Sequence, residues 1–260
     1  MYLSRIQLTD AIAGYTQLGL LLKDRSYGMH RILCDLFEKG ERFLYREERS
    51  KEQGIAQKGA VRNLPVYYVL STDAPDQESP LFDVATKPFQ PVLKAGEQLC
   101  FKLRANPTIA RRQEGKKHSS KHDVLMDAQI HWMTNACIER QLTLAGSKKA
   151  LRQNLLCHKD FSTREGHHDL KRQLDRAIDE GATQWLVKRG EANGFTIDSL
   201  QTTGYQWRAL PEKGRSAGFS SLDYEGVLTV SDPQLLCDML KKGIGPSKAF
   251  GCGLMMVKRV

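Results

Sequence analysis

The sequence predicts an α+β protein made of two successive halves, and three observations carry that expectation. Apolar and polar residues alternate in the opening stretch MYLSRIQLTD and again in Gln98–Arg104, where Leu99, Phe101 and Leu103 point one way. Apolar residues recur at helical spacing at Met29, Ile32, Leu33, Leu36 and Phe37, and again in Leu235–Leu240. The order of the segments is strand, helix, strands, then helices, strands, helix, strand. Two ferredoxin-like βαββαβ sheets satisfy that order, one in residues 1–105 and one in residues 106–260. The first half shows no obvious second helix.

Taken in order, a strand over about 2–9 leads to a helix beginning near Ser26, with Gly40 as its stop. Val66–Ser71 and Gln98–Arg104 read as strands. The charged tract Glu47–Lys58 and the stretch Asp76–Pro80 read as loops. After Ala105-Asn106-Pro107 the basic run ARRQEGKKHSSKH reads as an exposed connector without structure. A helical region then extends, with interruptions, from Asp123 to about Gly190. Phe195–Thr202 and Gly204–Leu210 read as two further strands.

The final unit is YEGVLTVSDPQLLCDMLKKGIGPSKAFGCGLMMVKRV, residues 224–260. A strand gives way to Ser231-Asp232-Pro233, an N-cap followed by proline at the first helical position. Leu235, Leu236, Met239 and Leu240 share a helical face, and Lys241 and Lys242 suit the last turn. The glycine-rich loop 243–253 carries Ser247 and Lys248. Its order, helix then loop then strand, is the reverse of a dinucleotide or Walker loop, in which the phosphate meets a helix N-terminus. Two readings stay open here: an anion contact through exposed N–H groups and Lys248, or turn geometry that needs several positive φ angles.

The chain has 39 Lys+Arg against 30 Asp+Glu, a formal charge of +9, and a pI near 9.2, which favours a polyanionic partner. Mean hydropathy is −0.47 and no apolar run reaches the length of a membrane span. The opening residues lack a signal peptide's apolar core. Six scattered cysteines without a CxxC pair point to buried thiols in a reducing cytoplasm. Cytoplasmic localisation and no cofactor are the expectations.

His30 and Tyr27 are the candidates for chemistry. They lie three residues apart, hence side by side on the flank of the apolar stripe. An imidazole there can give or take a proton, and a phenol beside it can orient a ribose or hydrogen-bond a developing negative charge. The first helical turn disfavours the imidazolium. The plain alternative is an ordinary half-exposed pair. Cys157, His158, His167 and His168 are metal-ligand types without zinc spacing, so no metal site is expected. Basic residues recur at one strand face (Lys102, Arg104), in the connector (Lys116, Lys117, His118) and around a hairpin (Arg208, Lys213, Arg215). That recurrence fits a nucleic-acid surface as well as it fits solvated charge.

Five segments together resemble the CasE family, the CRISPR-RNA-processing endoribonucleases of type I-E Cascade complexes. They are MYLSRIQL, YGMHRIL (27–33), FKLRANP (101–107), WLVKRGEANGF (185–195) and the terminal unit above. The resemblance implies two tandem ferredoxin-like (RRM-like) domains and metal-independent cleavage of a CRISPR precursor transcript at the base of its repeat stem-loop. The ribose 2′-OH would attack, leaving a 2′,3′-cyclic phosphate or 3′-phosphate and a 5′-OH. His30 would be the general acid or base and Tyr27 the motif tyrosine. Lys102, Arg104, Asn106, Lys116, Lys117, Arg208, Lys213, Arg215, Ser247 and Lys248 would lie near RNA, and the product would stay bound as the protein joins Cascade. No membrane partner is implied. A non-catalytic RNA-hairpin-binding subunit of the same complex is the alternative.

Two departures stand out. Asp35 occupies a position where some relatives carry a lysine, which leaves a third catalytic cation unassigned. A helix-leaning stretch at about 137–182 reads as an insertion in the second domain. It either widens the RNA or Cascade surface or is a solvated excursion, and the second reading is preferred.

Overall fold

The structure is a computed structural model that describes residues 1–9, 27–38, 40–48, 65–111, 120–210, 214 and 217–260. Lys116, Lys117 and His118 of the connector, Lys213 and Arg215 of the hairpin, and Ser26 lie outside the described residues. Two compact units are formed, one by Met1–Asn106 with Gly190–Val260 and the other by Pro107–Arg189.

The first unit holds two four-stranded antiparallel sheets. Strands β1 (Tyr2–Leu8), β2 (Leu44–Glu48), β3 (Val66–Ser71) and β4 (Phe82–Pro88) are arranged in the order β2-β3-β1-β4, with helix α1 (Gly28–Cys34) between β1 and β2. Strands β5 (Gln98–Ala105), β8 (Phe195–Ala209), β9 (Gly218–Val230) and β10 (Met255–Arg259) follow the order β10-β5-β9-β8. Each sheet thus places its first and third strands in the middle, the ferredoxin-like arrangement expected from the segment order. The connection over residues 72–81 in the first sheet has no helix.

In the second unit, β6 (Thr108–Arg111) pairs with β7 (Ser120–Asp123). Helices α2 (Val124–Glu139), α3 (Lys148–Cys157) and α4 follow, α4 spanning Arg164–Ala192 and so running past the unit's last residue. Asp123 caps α2, its Oδ1 accepting from the backbone N–H groups of Leu125 and Met126 at 2.9 and 3.0 Å. Met133, Cys137, Leu151, Leu155, Phe161 and Leu170 form its core. The stretch 137–182 is therefore helical for most of its length.

Four expectations need correction. The first helix ends at Cys34, and Leu36 and Phe37 reach the core from the turn that follows. Glu47 and Glu48 belong to β2, because the pairing partner Val66–Leu70 stabilises a charged segment that local propensity does not favour. The ends of the basic run form the β6–β7 hairpin. Finally, residues 195–209 make one strand, with a register shift between Thr203 and Gln206 at Gly204-Tyr205 where two strands were expected.

Helix α5 (Pro233–Lys242) matches its sequence signals. Asp232 Oδ1 accepts from Gln234 and Leu235 N–H, Pro233 opens the helix, and Gly243 ends it at φ +75°. Leu236, Met239 and Leu240 are buried, but Leu235 lies 46 % exposed, one step round from the apolar face.

The faces of the two sheets explain the core. Ile6, Tyr67, Val69 and Tyr45 pack against Ile32 and Leu33 of α1. On the other face of the same sheet, Leu44 and Leu70 meet Leu254, with Met256 alongside. Arg46 shares that second face and is 2 % exposed. Its Nη1 lies 3.3 Å from Asp223 Oδ1 of β9, outside hydrogen-bond geometry, and its Nε is paired with Glu48. Asp223 also receives both arms of Arg104 of β5, Nε to Oδ1 at 2.9 Å and Nη2 to Oδ2 at 2.7 Å. Arg104 Nη1 reaches the Glu47 carbonyl at 3.3 Å, so this cluster ties one sheet to the other.

Replacing Asp223 by alanine would leave two largely buried guanidinium groups without their shared carboxylate. The expected loss of unfolding free energy is about 3–5 kcal/mol, within the range for breaking a buried ion pair. Urea unfolding of Asp223→Ala checks this, and an unchanged midpoint would contradict the role assigned to the cluster.

Candidate active site

His30 sits on α1, a helix of seven residues whose N-cap Tyr27 makes no side-chain cap bond. The short helix is held by Ile32 and Leu33, both fully buried. Around the imidazole the chain gathers aromatic rings. Tyr27 stacks on it with centroids 4.9 Å apart and planes 18° apart, so the predicted neighbours do meet. Phe43 approaches at 5.0 Å and Tyr45 presents an edge-on ring at 6.0 Å and 79°. His30 Nδ1 lies 3.3 Å from Cys34 Sγ, one helical turn along.

This setting fixes the charge. Burial among rings disfavours the imidazolium and moves His30 below its ordinary 6.5, against the smaller opposing effect of its own backbone. The cause is desolvation, not the helix start invoked from sequence. A half-buried imidazole that is neutral near pH 7 can accept a proton at Nε2 while Nδ1 faces the Cys34 sulfur. Burial and the neighbouring Asp35 push the Cys34 thiol up, so it stays protonated there.

The glycine loop reaches the same place. Between Ser247 at φ +60° and Gly251 at φ +78° it makes a single 3-10 turn, Lys248–Phe250. Phe250 packs on Tyr27 at 5.6 Å and on Phe219 at 5.1 Å. Tyr45 donates its phenolic hydrogen to the Ala249 carbonyl at 3.1 Å. Gly251 faces the Tyr45 ring, where an added Cβ would stand 3.3 Å from Cε2, and its positive φ already excludes most side chains. The loop therefore forms one wall of the His30 site.

The other expected RNA contacts have defined partners. Asn106 Nδ2 donates to Ser247 Oγ at 2.7 Å, and Lys248 Nζ donates to the Lys242 carbonyl at 2.7 Å. Partial burial, with Lys242 adding to it, lowers the Lys248 ammonium. Lys102 pairs with Glu225 at 3.0 Å on an exposed sheet face. Burial disfavours the Arg104 guanidinium, but the hydrogen bond and charge of Asp223 outweigh this and raise it overall. Arg208 donates from Nε to Ser221 Oγ at 3.0 Å. It pairs in register with Phe219, which packs on Phe250, so it lies beside the loop. Cys252 is buried and its thiol is pushed up to about 12.

Phe43, Tyr45, Phe250, Cys34 and Asp223 were not singled out by sequence reasoning. The alternation of Phe43 and Tyr45 was the available signal, and the charges that follow masked it. Among the described residues no group of three or more His, Cys, Asp and Glu side chains converges as metal ligands would. His158 accepts at Nδ1 from the Asp160 N–H at 3.3 Å, and His167 and His168 are exposed on α4. No helix among the described residues is long and apolar enough to cross a membrane.

With this geometry in view, comparison with known proteins is direct. A family model described as "CRISPR associated protein" matches residues 1–259. The chain is 28 % identical over 243 residues to the CRISPR-associated endoribonuclease Cse3 of Thermus thermophilus, covering 89 % of each chain. It is 32 % identical over 71 residues to the Cascade subunit CasE of Escherichia coli, 27 % of this chain and 35 % of that one. Cse3 bound to a 19-nucleotide RNA has a similar fold, with TM-score 0.58 at 23 % identity over 99 % of this chain and 100 % of that one. Cas6e from Escherichia coli gives TM-score 0.52 at 22 % identity over the whole of both chains. The CasE resemblance read from the sequence is borne out, and the chain belongs to the CRISPR-associated protein family.

Proposed function

We propose that this protein is an endoribonuclease that cleaves CRISPR precursor transcripts at the base of the repeat stem-loop and stays with the product as a Cascade subunit. The observation that carries the reading is the Tyr27–His30 stack, flanked by Phe43, Tyr45 and the glycine loop, in a chain similar over 89 % of its length to an endoribonuclease. RNA helices are recognised largely through shape, backbone and 2′-hydroxyls, which suits a basic α+β surface better than a small-molecule pocket.

In the proposed reaction, neutral His30 removes the proton from the 2′-OH beside the scissile phosphate. The oxygen attacks phosphorus and the bond to the 5′-oxygen breaks; that oxygen takes a proton from water or from the His30 imidazolium, giving a 2′,3′-cyclic phosphate and a 5′-OH terminus and returning His30 to its neutral form. Tyr27, stacked on the imidazole, orients the ribose or hydrogen-bonds the developing charge. The chemistry asks nothing of a metal ion. Lys102 and Arg208, with Lys116, Lys117, Lys213 and Arg215, would supply the electrostatic grip on the stem. Arg104, Asn106, Ser247 and Lys248 are proposed to shape that surface through the bonds already described. Residues 1–105 and 106–260 are read as the tandem domains, with 137–182 as an insertion in the second.

Two outcomes test this. His30→Ala should lower cleavage of a cognate repeat hairpin in EDTA by about 10²–10⁴-fold, the usual worth of a general acid or base. Hairpin binding should persist, and a 2′-deoxy nucleotide at the cut site should block the wild type. Full activity of His30→Ala would end the assignment, and binding without cleavage by the wild type would favour the non-catalytic reading. Because burial lowers His30 in the RNA-free protein, cleavage measured with enzyme well below saturation should rise with pH through a midpoint below the ordinary imidazole value and level off near neutrality.

A further inference from the structure

The region around His30 closes into a ring of contacts in which one residue takes part twice. Tyr45 meets the imidazole edge-on, and its hydroxyl also donates to the Ala249 carbonyl. Ala249 precedes Phe250, Phe250 packs on Tyr27, and Tyr27 stacks on His30. Tyr45 is 4 % exposed and fixed by its place on β2, opposite Val69 of β3. Among the described residues, its phenol gives a side-chain bond that fastens this part of the loop to the first sheet.

We propose that Tyr45 is a positioning residue for the reaction at His30: through its hydroxyl it holds the 248–250 turn against Tyr27, and through its ring it sets the imidazole. The proposal rests on the ribonuclease reading for its kinetic consequences but not for its structural ones. The hydroxyl remains a donor at any working pH, since burial, followed by the charges of neighbouring groups, pushes the phenol far above its ordinary 10. Opening the ring at this one bond loosens Phe250 and then Tyr27, and water reaches the imidazole. Among the described residues, the titratable and charged groups on the elements packed against the imidazole include Tyr27, Cys34 and Asp35 on or beside α1, Tyr45 and Glu47 on β2, and Lys248 in the 248–250 turn. Arg208 and Cys252 lie beyond Tyr45. The Tyr45→Phe change alters none of their charges, so any change in His30 titration reports solvent access.

The test compares wild type, Tyr45→Phe and Phe250→Leu as full-length protein. Phe250→Leu opens the same ring at a second place, which keeps the idea testable should one variant fold poorly. In both, single-turnover cleavage at saturating enzyme should fall about tenfold, while the dissociation constant for the uncleaved hairpin with a 2′-deoxy cut site stays within about twofold; both are magnitudes for displaced catalytic geometry without a lost contact. The titration of the His30 ring proton, followed by NMR in RNA-free protein and identified by its loss in His30→Ala, should move up toward 6.5. The limb of the pH–rate profile governed by His30 should move the same way. An unchanged rate and titration in both variants would overturn the proposal, as would parallel losses of rate and affinity with an unmoved titration. If the wild type cleaves no repeat RNA the ribonuclease reading fails, and the RNA-free titration still decides whether Tyr45 sets the histidine.

Discussion

The carboxylate of Asp223 is the constraint on which the rest of this molecule depends. It accepts a bidentate bond from Arg104 of β5, and Arg46 of β2 lies against the same carboxylate, so the open faces of the two sheets meet across one anion. Burying two guanidinium groups is costly unless each finds an opposite charge, and here Glu48 supplies the second. The arrangement brings specificity of placement more than raw stability. An apolar contact such as Leu44 with Leu254 could slide, whereas a fork of hydrogen bonds on a carboxylate cannot. Gly253 N–H also donates to the Arg104 carbonyl at 2.7 Å, so the same arginine anchors the end of the glycine loop.

From that anchor the wall beside His30 follows. The loop leaves α5 at Gly243, turns through left-handed residues and returns to β10 beside Arg104. Its polar side chains are occupied within the protein, Ser247 by Asn106 and Lys248 by the Lys242 carbonyl. The turn thus presents Phe250 to Tyr27 and the Ala249 carbonyl to Tyr45. The loop read from sequence as a choice between anion contact and turn geometry is, in its internal bonding, a scaffold. The aromatic walls then do electrostatic work, because they remove part of the imidazolium's hydration and favour the neutral form of His30.

What was legible in the sequence was local chemistry. Asp232 and Pro233 announced α5, Gly243 its end, and Asp123 the start of α2, because caps and positive φ are decided within a turn or two. Tyr27 and His30 could be paired from helical spacing alone. The misses lie where partners distant in the chain override local preference. LYREE forms a strand because Val66–Leu70 pairs with it, and the ends of a lysine-rich run join as a hairpin. Gly204 reads as a break between strands, yet the continuous partner β9 carries the chain across it as an irregularity. Arg46 carries no local sign of burial, and its partners are Glu48 two residues along and Asp223 of the opposing sheet.

The same distinction governs the site. A seven-residue helix without a side-chain cap has little stability of its own, since forming the first turn costs more than so few bonds return. The orientation of His30 is therefore not a property of α1 but of what packs on it, and those contacts come from β2 and from the loop near the C-terminus. Tyr45 and Ala249 are 204 positions apart in sequence, yet their bond closes the wall around the imidazole. Any change that shifts one sheet against the other must reach the histidine through that wall. The proton chemistry proposed for His30 in the first half of the chain would thus depend on the terminal glycine loop, whose Phe250 and Ala249 touch Tyr27 and Tyr45.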